Sequence, residues 1–202
     1  KQPPTADTPL LLCYYDIEST GLDTARDDII QISIQYVKYA SGRKTRLHTF
    51  DTFVNTDKPI PPFVQTLTRI TRQHIQKSPY IGSVLGTVQS RVFDLCKEQS
   101  ICDVVWIAHN GNNFDHKMLQ RNCQEHHLTF LHNRTDFNVW YADTFVMAKC
   151  VFPLCPMAPE NNKLQVLYRW CHARSSTADT AEAPLQFHRA DADVKAMELV
   201  LD

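Results

Sequence analysis

The sequence predicts an α/β fold on a mixed central sheet, and three observations carry that prediction. Segments that read as strands come first and close together, at 10–16, 29–39 and 45–54. Beyond residue 62 the pattern changes, and short apolar strands alternate with helical periods. The first three segments are joined by short turns, which makes them an antiparallel meander, whereas strands separated by helices pair in parallel.

Each element has its own signal. Leu10-Leu11-Leu12-Cys13-Tyr14-Tyr15 is an apolar run of buried-strand length that delivers Asp16 at its end. In the second strand Ile30, Ile32, Ile34 and Tyr36 alternate with polar residues. Ser41-Gly42-Arg43-Lys44 is a turn, and the third strand follows it. After Pro59-Ile60-Pro61-Pro62 the pattern becomes helical, most clearly over 83–99, where Val84, Leu85, Val88, Val92, Phe93 and Cys96 recur with a helical period. Residues 104–108 form a short uninterrupted apolar strand, 114–126 a helix, and 139–142 a strand that runs into a helix from Thr144. Residues 164–171 and 190–201 are further helices, while 152–162 and 174–184 read as loops.

Composition sets the frame. At 202 residues, 43% hydrophobic and 21% charged, the chain fits one core-forming domain, assigned to 10–202 with 1–9 as an N-terminal extension. No apolar run approaches the roughly 20 residues that span a bilayer. The start has neither an initiator Met nor the apolar core of a signal peptide, so the expectation is a domain excised from a larger protein. Seven cysteines are an odd number in a chain with ample core, which points to an intracellular, reducing compartment, nucleus or cytoplasm. A net charge of -1 neither demands nor excludes nucleic acid, since a patch can be basic within a neutral whole.

The acids are the chemical clue. Alternate strand residues share a face, so Asp16 and Glu18 project side by side with Ile17 turned into the core. Two adjacent carboxylates raise each other's pKa unless a cation lies between them. Thr20-Gly21 ends the strand there, at a sheet mouth where ligands of α/β proteins commonly bind. Taken alone, two solvated acids at a strand end are the simpler account. Asp115 follows the second buried strand at a helix start, and alone it reads as a first-turn acid. Asp193 opens the last helix, with His188 on the loop entering it and free to swing over the cleft. Together these groups suit hard divalent cations and phosphoryl chemistry, with the imidazole taking a proton from water.

The set resembles the DEDDh (DnaQ-like) 3′–5′ exonucleases of the ribonuclease H-like fold. The residues that carry the resemblance are Asp16-Ile17-Glu18-Ser19-Thr20-Gly21-Leu22, then Ala108-His109-Asn110 with Phe114-Asp115, then His188-x-Ala190-x-x-Asp193. His109-Asn110-Gly111 followed by Phe114-Asp115 looks most like the TREX-type branch. The segment 67–79 also fits, although Arg69 stands where a Gly is usual. The resemblance implies two Mg²⁺, with Mn²⁺ able to substitute. Asp16 would bridge both ions, Glu18 and Asp193 would hold the one that binds the nucleophilic water, and Asp115 would support the other. His188 would be the general base. Thr20, Gly21 and Leu22 would meet the terminal nucleotide, and Asn110 would help position the site or the scissile strand. The expected activity is release of nucleoside 5′-monophosphates from a 3′ end, single-stranded DNA favoured. The alternatives are a 3′–5′ exoribonuclease and an inactive module that binds nucleic acid or protein. Relatives pair through a sheet edge, so a homodimer through 45–54 is a further expectation, although His48 and Asp51 could guard that edge.

Several other residues read as structural. Asp143 is an expected helix N-cap, Asp191 a cap or solvated acid, and Asp23, Asp27 and Asp28 a solvated loop. Cys150, Cys155, Cys171 and His172 offer zinc-ligand types without a tight C-x2-C pair, so buried thiols are the simpler account. Cys123, His126 and His127 fall on one ordinary helix. Arg43, Lys44 and Arg46 read as a solvated hairpin that could touch phosphates, and Trp106 and Trp140 as core.

Overall fold

In a computed structural model of the chain, residues 4–5, 8–154, 158–173, 185 and 187–201 are described. Five strands, β1 (Leu10–Ser19), β2 (Ile29–Ala40), β3 (Arg43–Phe53), β4 (Asp103–Ala108) and β5 (Asn138–Asp143), form one sheet in the order β3-β2-β1-β4-β5. β1, β2 and β3 pair antiparallel, while β1–β4 and β4–β5 are parallel. The predicted mixed sheet is therefore the observed one. The helices are α1 (Pro62–Thr68), α2 (Arg72–Ile75), α3 (Ile81–Gln99), α4 (Asp115–Glu125), α5 (Thr144–Val151), α6 (Leu164–His172) and α7 (Ala190–Val200). The expected loop at 152–162 contains a 3-10 turn, Phe152–Leu154, and the expected loop at 174–184 lies outside the described residues.

The sheet is covered on both faces. Leu11, Cys13, Tyr15 and Ile17 of β1 pack with Ile32 and Ile34 of β2 against Val84, Leu85, Val88 and Val92 of α3 and Met118 and Leu119 of α4. The other face carries Leu12 and Tyr14 against Leu164 of α6 and Val194 and Met197 of α7. Each large aliphatic side chain taken fully out of water contributes on the order of 1.5–3 kcal/mol. Alternation in β2 correctly identifies the isoleucine face, but the opposite face is not solvated as that pattern suggests. Gln31, Ser33 and Gln35 are also buried, because α7 lies over β1 and β2.

The turn after β2 is tighter than expected. Only Ser41 and Gly42 turn, both at positive φ, and Arg43 and Lys44 already belong to β3. Two of the three hairpin cations are tied down. Arg46 pairs with Glu198 at 2.6 Å, and Lys44 donates to the Leu201 carbonyl at 3.0 Å, so both tie β3 to the end of α7. Trp106 is core, whereas Trp140 is half-buried and donates to Asp103 at 2.8 Å.

This layout positions the site. β1, β4 and β5 run the same way, so Glu18, His109 and Asp143 emerge at one edge of the sheet. β1 is where the sheet changes from antiparallel to parallel pairing, the kind of place where such sheets hold ligands. Asp16 and Glu18 continue the Leu12–Tyr14 face, the one that α7 covers.

Candidate active site

Side-chain oxygens of Asp16, Glu18 and Asp193 lie within 4.8 Å of one another. Residues from the start and the end of the chain therefore meet in one acidic cluster. Asp193 reaches it because the first turn of α7 arrives over the end of β1. Its Oδ2 accepts the His188 backbone N–H at 3.0 Å. Asp115 is the fourth acid and lies just outside that trio. Past Tyr14–Ile107, the last β1–β4 pair, the Ile17 N–H donates to Asp115 Oδ1 at 3.2 Å instead of to a strand. The start of α4 thus takes over where β4 leaves off.

The electrostatics are those of crowded acids. Glu18 is pushed up to about 8 by burial first, then by Asp193 and Asp115, with Arg189 opposing. Burial pushes Asp193 up to about 7 against the His188 and Arg189 amides that favour its anion. Asp115 also rises to about 7, burial outweighing the backbone N–H groups of Asp115 and Ile17. Asp16 rises well above the usual carboxylate range through burial, then Asp193, Asp115 and Glu18. Arg189 is held aside, its guanidinium 5.4 Å from the Phe53 ring and its Nε 3.6 Å from Asp191. Oxygen-only donors that repel one another are the set a hard divalent cation fits.

His188 is exposed and sits at φ 64, in the left-handed region. It lies on the loop before α7, as expected, and both its backbone and its ring have partners. Its backbone is tied to Asp193, and its Nε2 accepts from the Gln165 side-chain amide of α6 at 3.1 Å. Asp16, Asn110, Phe145, Lys163, Gln165, His188 and Asp193 line a cleft of ≈ 450 Å³. Asn110 also has positive φ. Its N–H and that of Asn112 donate to the two oxygens of Asp143, at 2.8 and 3.0 Å. Asp143 also accepts from Phe145 N at 3.0 Å, so it is the expected N-cap and, beyond that, the clamp of the Asn110 loop.

The strand-end loop is more ordered than its composition suggests. Thr20 is buried, and its hydroxyl donates to Asp27 Oδ1 at 2.9 Å and accepts from Asp28 N at 3.0 Å. Asp27 and Asp28 are thus structural rather than solvated, and Asp28 pairs with Lys58 at 2.7 Å. A Cβ on Gly21 would lie 2.5 Å from Asp27 Oδ2, so any other residue here would have to displace the carboxylate that Thr20 holds. Leu22 is 83% exposed beyond it. The missed participants are Asp27, Lys163 and Gln165. Thr20 eight residues before Asp28 carried no local signal, and Lys163 and Gln165 reach the cleft only through tertiary packing.

Among the described residues the acids are the only cluster of three side chains that could hold a metal. Cys155 lies outside the described residues, Cys150 is exposed, and the reading of Cys150, Cys155, Cys171 and His172 as a zinc site gains nothing. Cys123 is buried in α4, and His126 caps that helix.

The mixed five-stranded sheet thus gathers its acids at one edge, beside a histidine from the loop that enters the last helix. The chain belongs to the exonuclease (RNase_T) family, whose profile matches residues 13–200. It is similar to the 3′-5′ exonuclease DinG of Staphylococcus epidermidis, with 29% identity over 179 residues, 88% of this chain and 16% of that protein. The Staphylococcus aureus DinG exonuclease gives 28% over 178 residues. The chain thus spans about one sixth of the length of these relatives. Among solved structures, the E. coli ExoI–ssDNA complex in its zinc-bound form has a TM-score of 0.67 at 16% identity, covering 96% of this chain and 39% of that one. An exonuclease I structure that suggests how processivity is achieved has a TM-score of 0.68, also at 16% identity, covering 96% of this chain and 40% of that one. Those two likenesses establish the fold.

Proposed function

We propose that the chain is a metal-dependent 3′–5′ exonuclease that releases nucleoside 5′-monophosphates from single-stranded DNA. The observation that carries this reading is the meeting of Asp16, Glu18 and Asp193 within one cation's reach, with His188 on the same cleft. The similar relatives named as 3′-5′ exonucleases support the polarity, and a solved likeness bound to single-stranded DNA supports the substrate. When bound, two Mg²⁺ ions, or Mn²⁺ in their place, would offset the charge that gathers on the transferring phosphate. Asp16 would be shared by both ions, Glu18 and Asp193 would serve the water-side ion, and Asp115 the leaving-group side. His188 receives the proton of the attacking water at Nε2, the nitrogen that Gln165 occupies in the resting protein. Water attacks the terminal phosphorus and the bond to the upstream O3′ breaks. The products are a nucleoside 5′-monophosphate and a strand shortened by one nucleotide with a 3′-hydroxyl. Leu22, exposed at the tip of the strand-end loop, would pack on the last base. The Thr20–Gly21 backbone and Asn110 would flank it.

The TREX-type assignment rests on His109-Asn110-Gly111 and Phe114-Asp115. One exonuclease domain over 10–202, with 1–9 as an extension, would form part of a larger intracellular protein, which the 16% coverage of the relative supports. The odd number of cysteines, seven, supports a reducing compartment. β3 is an edge strand, which supports pairing of two copies there. Among the described residues no helix is long and apolar enough to cross a membrane. The test is mononucleotide release from matched 5′-labelled DNA and RNA oligonucleotides, single- and double-stranded, across a Mg²⁺ and Mn²⁺ series. Ladders that shorten from the 3′ end of single-stranded DNA, and vanish with EDTA, are expected. Binding without release at any metal concentration would reject the enzyme.

A further inference from the structure

Arg69 occupies a backbone position made for glycine. It caps the C-terminus of α1 at φ 60 and ψ 18, in the left-handed region, where a side chain costs roughly 1–2 kcal/mol. The conformation is imposed by its neighbours. Thr68 and Ile70 are both buried. The Thr68 hydroxyl donates to the Val64 carbonyl at 2.9 Å and accepts the Ile70 N–H at 3.1 Å. The Arg69 N–H closes on the Gln65 carbonyl at 2.9 Å. The chain therefore holds a strained arginine where a glycine would sit without strain, and such outliers concentrate where a side chain has work to do.

Its side chain points to that work. Arg69 is exposed, and among the described residues it has no ion pair and no side-chain hydrogen bond. It lines a groove of ≈ 620 Å³ with Phe63, Leu67, Phe187 and His188. His188 also lines the acid-bearing cleft, so the two depressions share that residue as a wall. Phe63 and Leu67 are 63% and 51% exposed, an apolar floor suited to unstacked bases. A polyanion approaching Asp16, Glu18 and Asp193 meets like charge, and a guanidinium one groove away supplies the opposite sign.

We propose that Arg69 binds the phosphodiester backbone of a single-stranded substrate in the groove between α1 and the His188 loop, its forked donors engaging phosphate oxygens. This rests on the exonuclease reading and adds a seat for the strand outside the acidic cluster. The competing account is a cation at a helix C-terminus, favoured by the helix dipole alone.

Arg69→Gly separates the two, because it relieves backbone strain while deleting the guanidinium. Its thermal midpoint should equal or exceed that of the wild type. On a 5′-labelled oligo(dT), KM should rise about 5- to 20-fold with kcat within about twofold, as uniform binding is lost. Oligo(dT) binding followed by fluorescence anisotropy in EDTA should lose about 0.7 from the slope of log K against log salt, one phosphate's share on a single strand. Arg69→Lys should restore that slope. An unchanged KM and an unchanged slope in Arg69→Gly, alongside an active wild type, would overturn the assignment whatever the thermal midpoint. The anisotropy arm needs no turnover, so a catalytically silent wild type would reject the exonuclease reading while the slope still tests Arg69.

Discussion

Asp143 and Asp193 are buried to nearly the same degree, 5% and 8% exposed, yet their surroundings are opposites. Asp143 accepts backbone N–H groups from Asn110, Asn112 and Phe145. At the far end of the sheet Asp103 is similarly served, by Asn138 at 3.0 Å and Trp140 at 2.8 Å. Asp193 shares its space with Asp16 and Glu18, and the backbone amides it does receive do not stop its pKa from rising. A buried carboxylate supplied with neutral donors holds loops together. One that shares its space with other carboxylates is short of positive charge, and a cation is what completes it.

The sharpest way to break this contrast is to neutralise one acid from each group. Asp16→Asn should reduce mononucleotide release to background, measured on labelled single-stranded DNA. The same substitution should raise the thermal midpoint of the metal-free protein, because it removes like-charge repulsion. A variant that is inactive and also less stable would place Asp16 with Asp143 instead. Next in size, His188→Ala should lower kcat about 100-fold, a typical general-base contribution, with little change in KM. The variant keeps the backbone N–H that serves Asp193 and still carries a Cβ at φ 64, so the ring alone is tested. Asp143→Ala should cost about 3 kcal/mol in urea unfolding, since it leaves buried N–H groups without an acceptor.

The smallest effect is one of pH. Glu18, Asp115 and Asp193 titrate in the folded protein at about 8, 7 and 7, above the ordinary 4.5, 3.8 and 3.8 of those side chains. The folded state therefore binds protons more tightly than the unfolded chain. The stability this confers is complete below about pH 4 and is lost as pH rises toward 8. In EDTA the thermal midpoint should fall between those limits from this source. Saturating Mg²⁺ should flatten or reverse the fall at the alkaline end. A midpoint in EDTA that climbs steadily from pH 5 to 8 would show that the acids are not crowded.

Much of the sheet was legible because β1 and β4 are uninterrupted apolar runs and β2 shows the strand period along its isoleucine face, and their order pointed to the mixed topology. The acids were legible because each sits beside a strand or helix end that local patterning marks. Asp143 as an N-cap was legible for the same reason. Contacts made only in three dimensions were not. Gln31, Ser33 and Gln35 look like a solvated face until α7 covers them. Asp27 and Asp28 look like loop acids until Thr20 and Lys58 reach them. Arg46 and Lys44 look like an exposed hairpin until α7 supplies Glu198 and the Leu201 carbonyl. His188 looked mobile because Gln165, its partner, belongs to another helix.

Asp16 lies near one end of the sequence and Asp193 near the other, and the acidic cluster needs both. While a ribosome is still adding the residues that precede Asp193, the emerging polypeptide carries Asp16, Glu18 and Asp115 with no complete cage among them. The acidic cluster is therefore incomplete in the nascent chain until α7 docks on the sheet, and a protease that removed α7 would take it apart again.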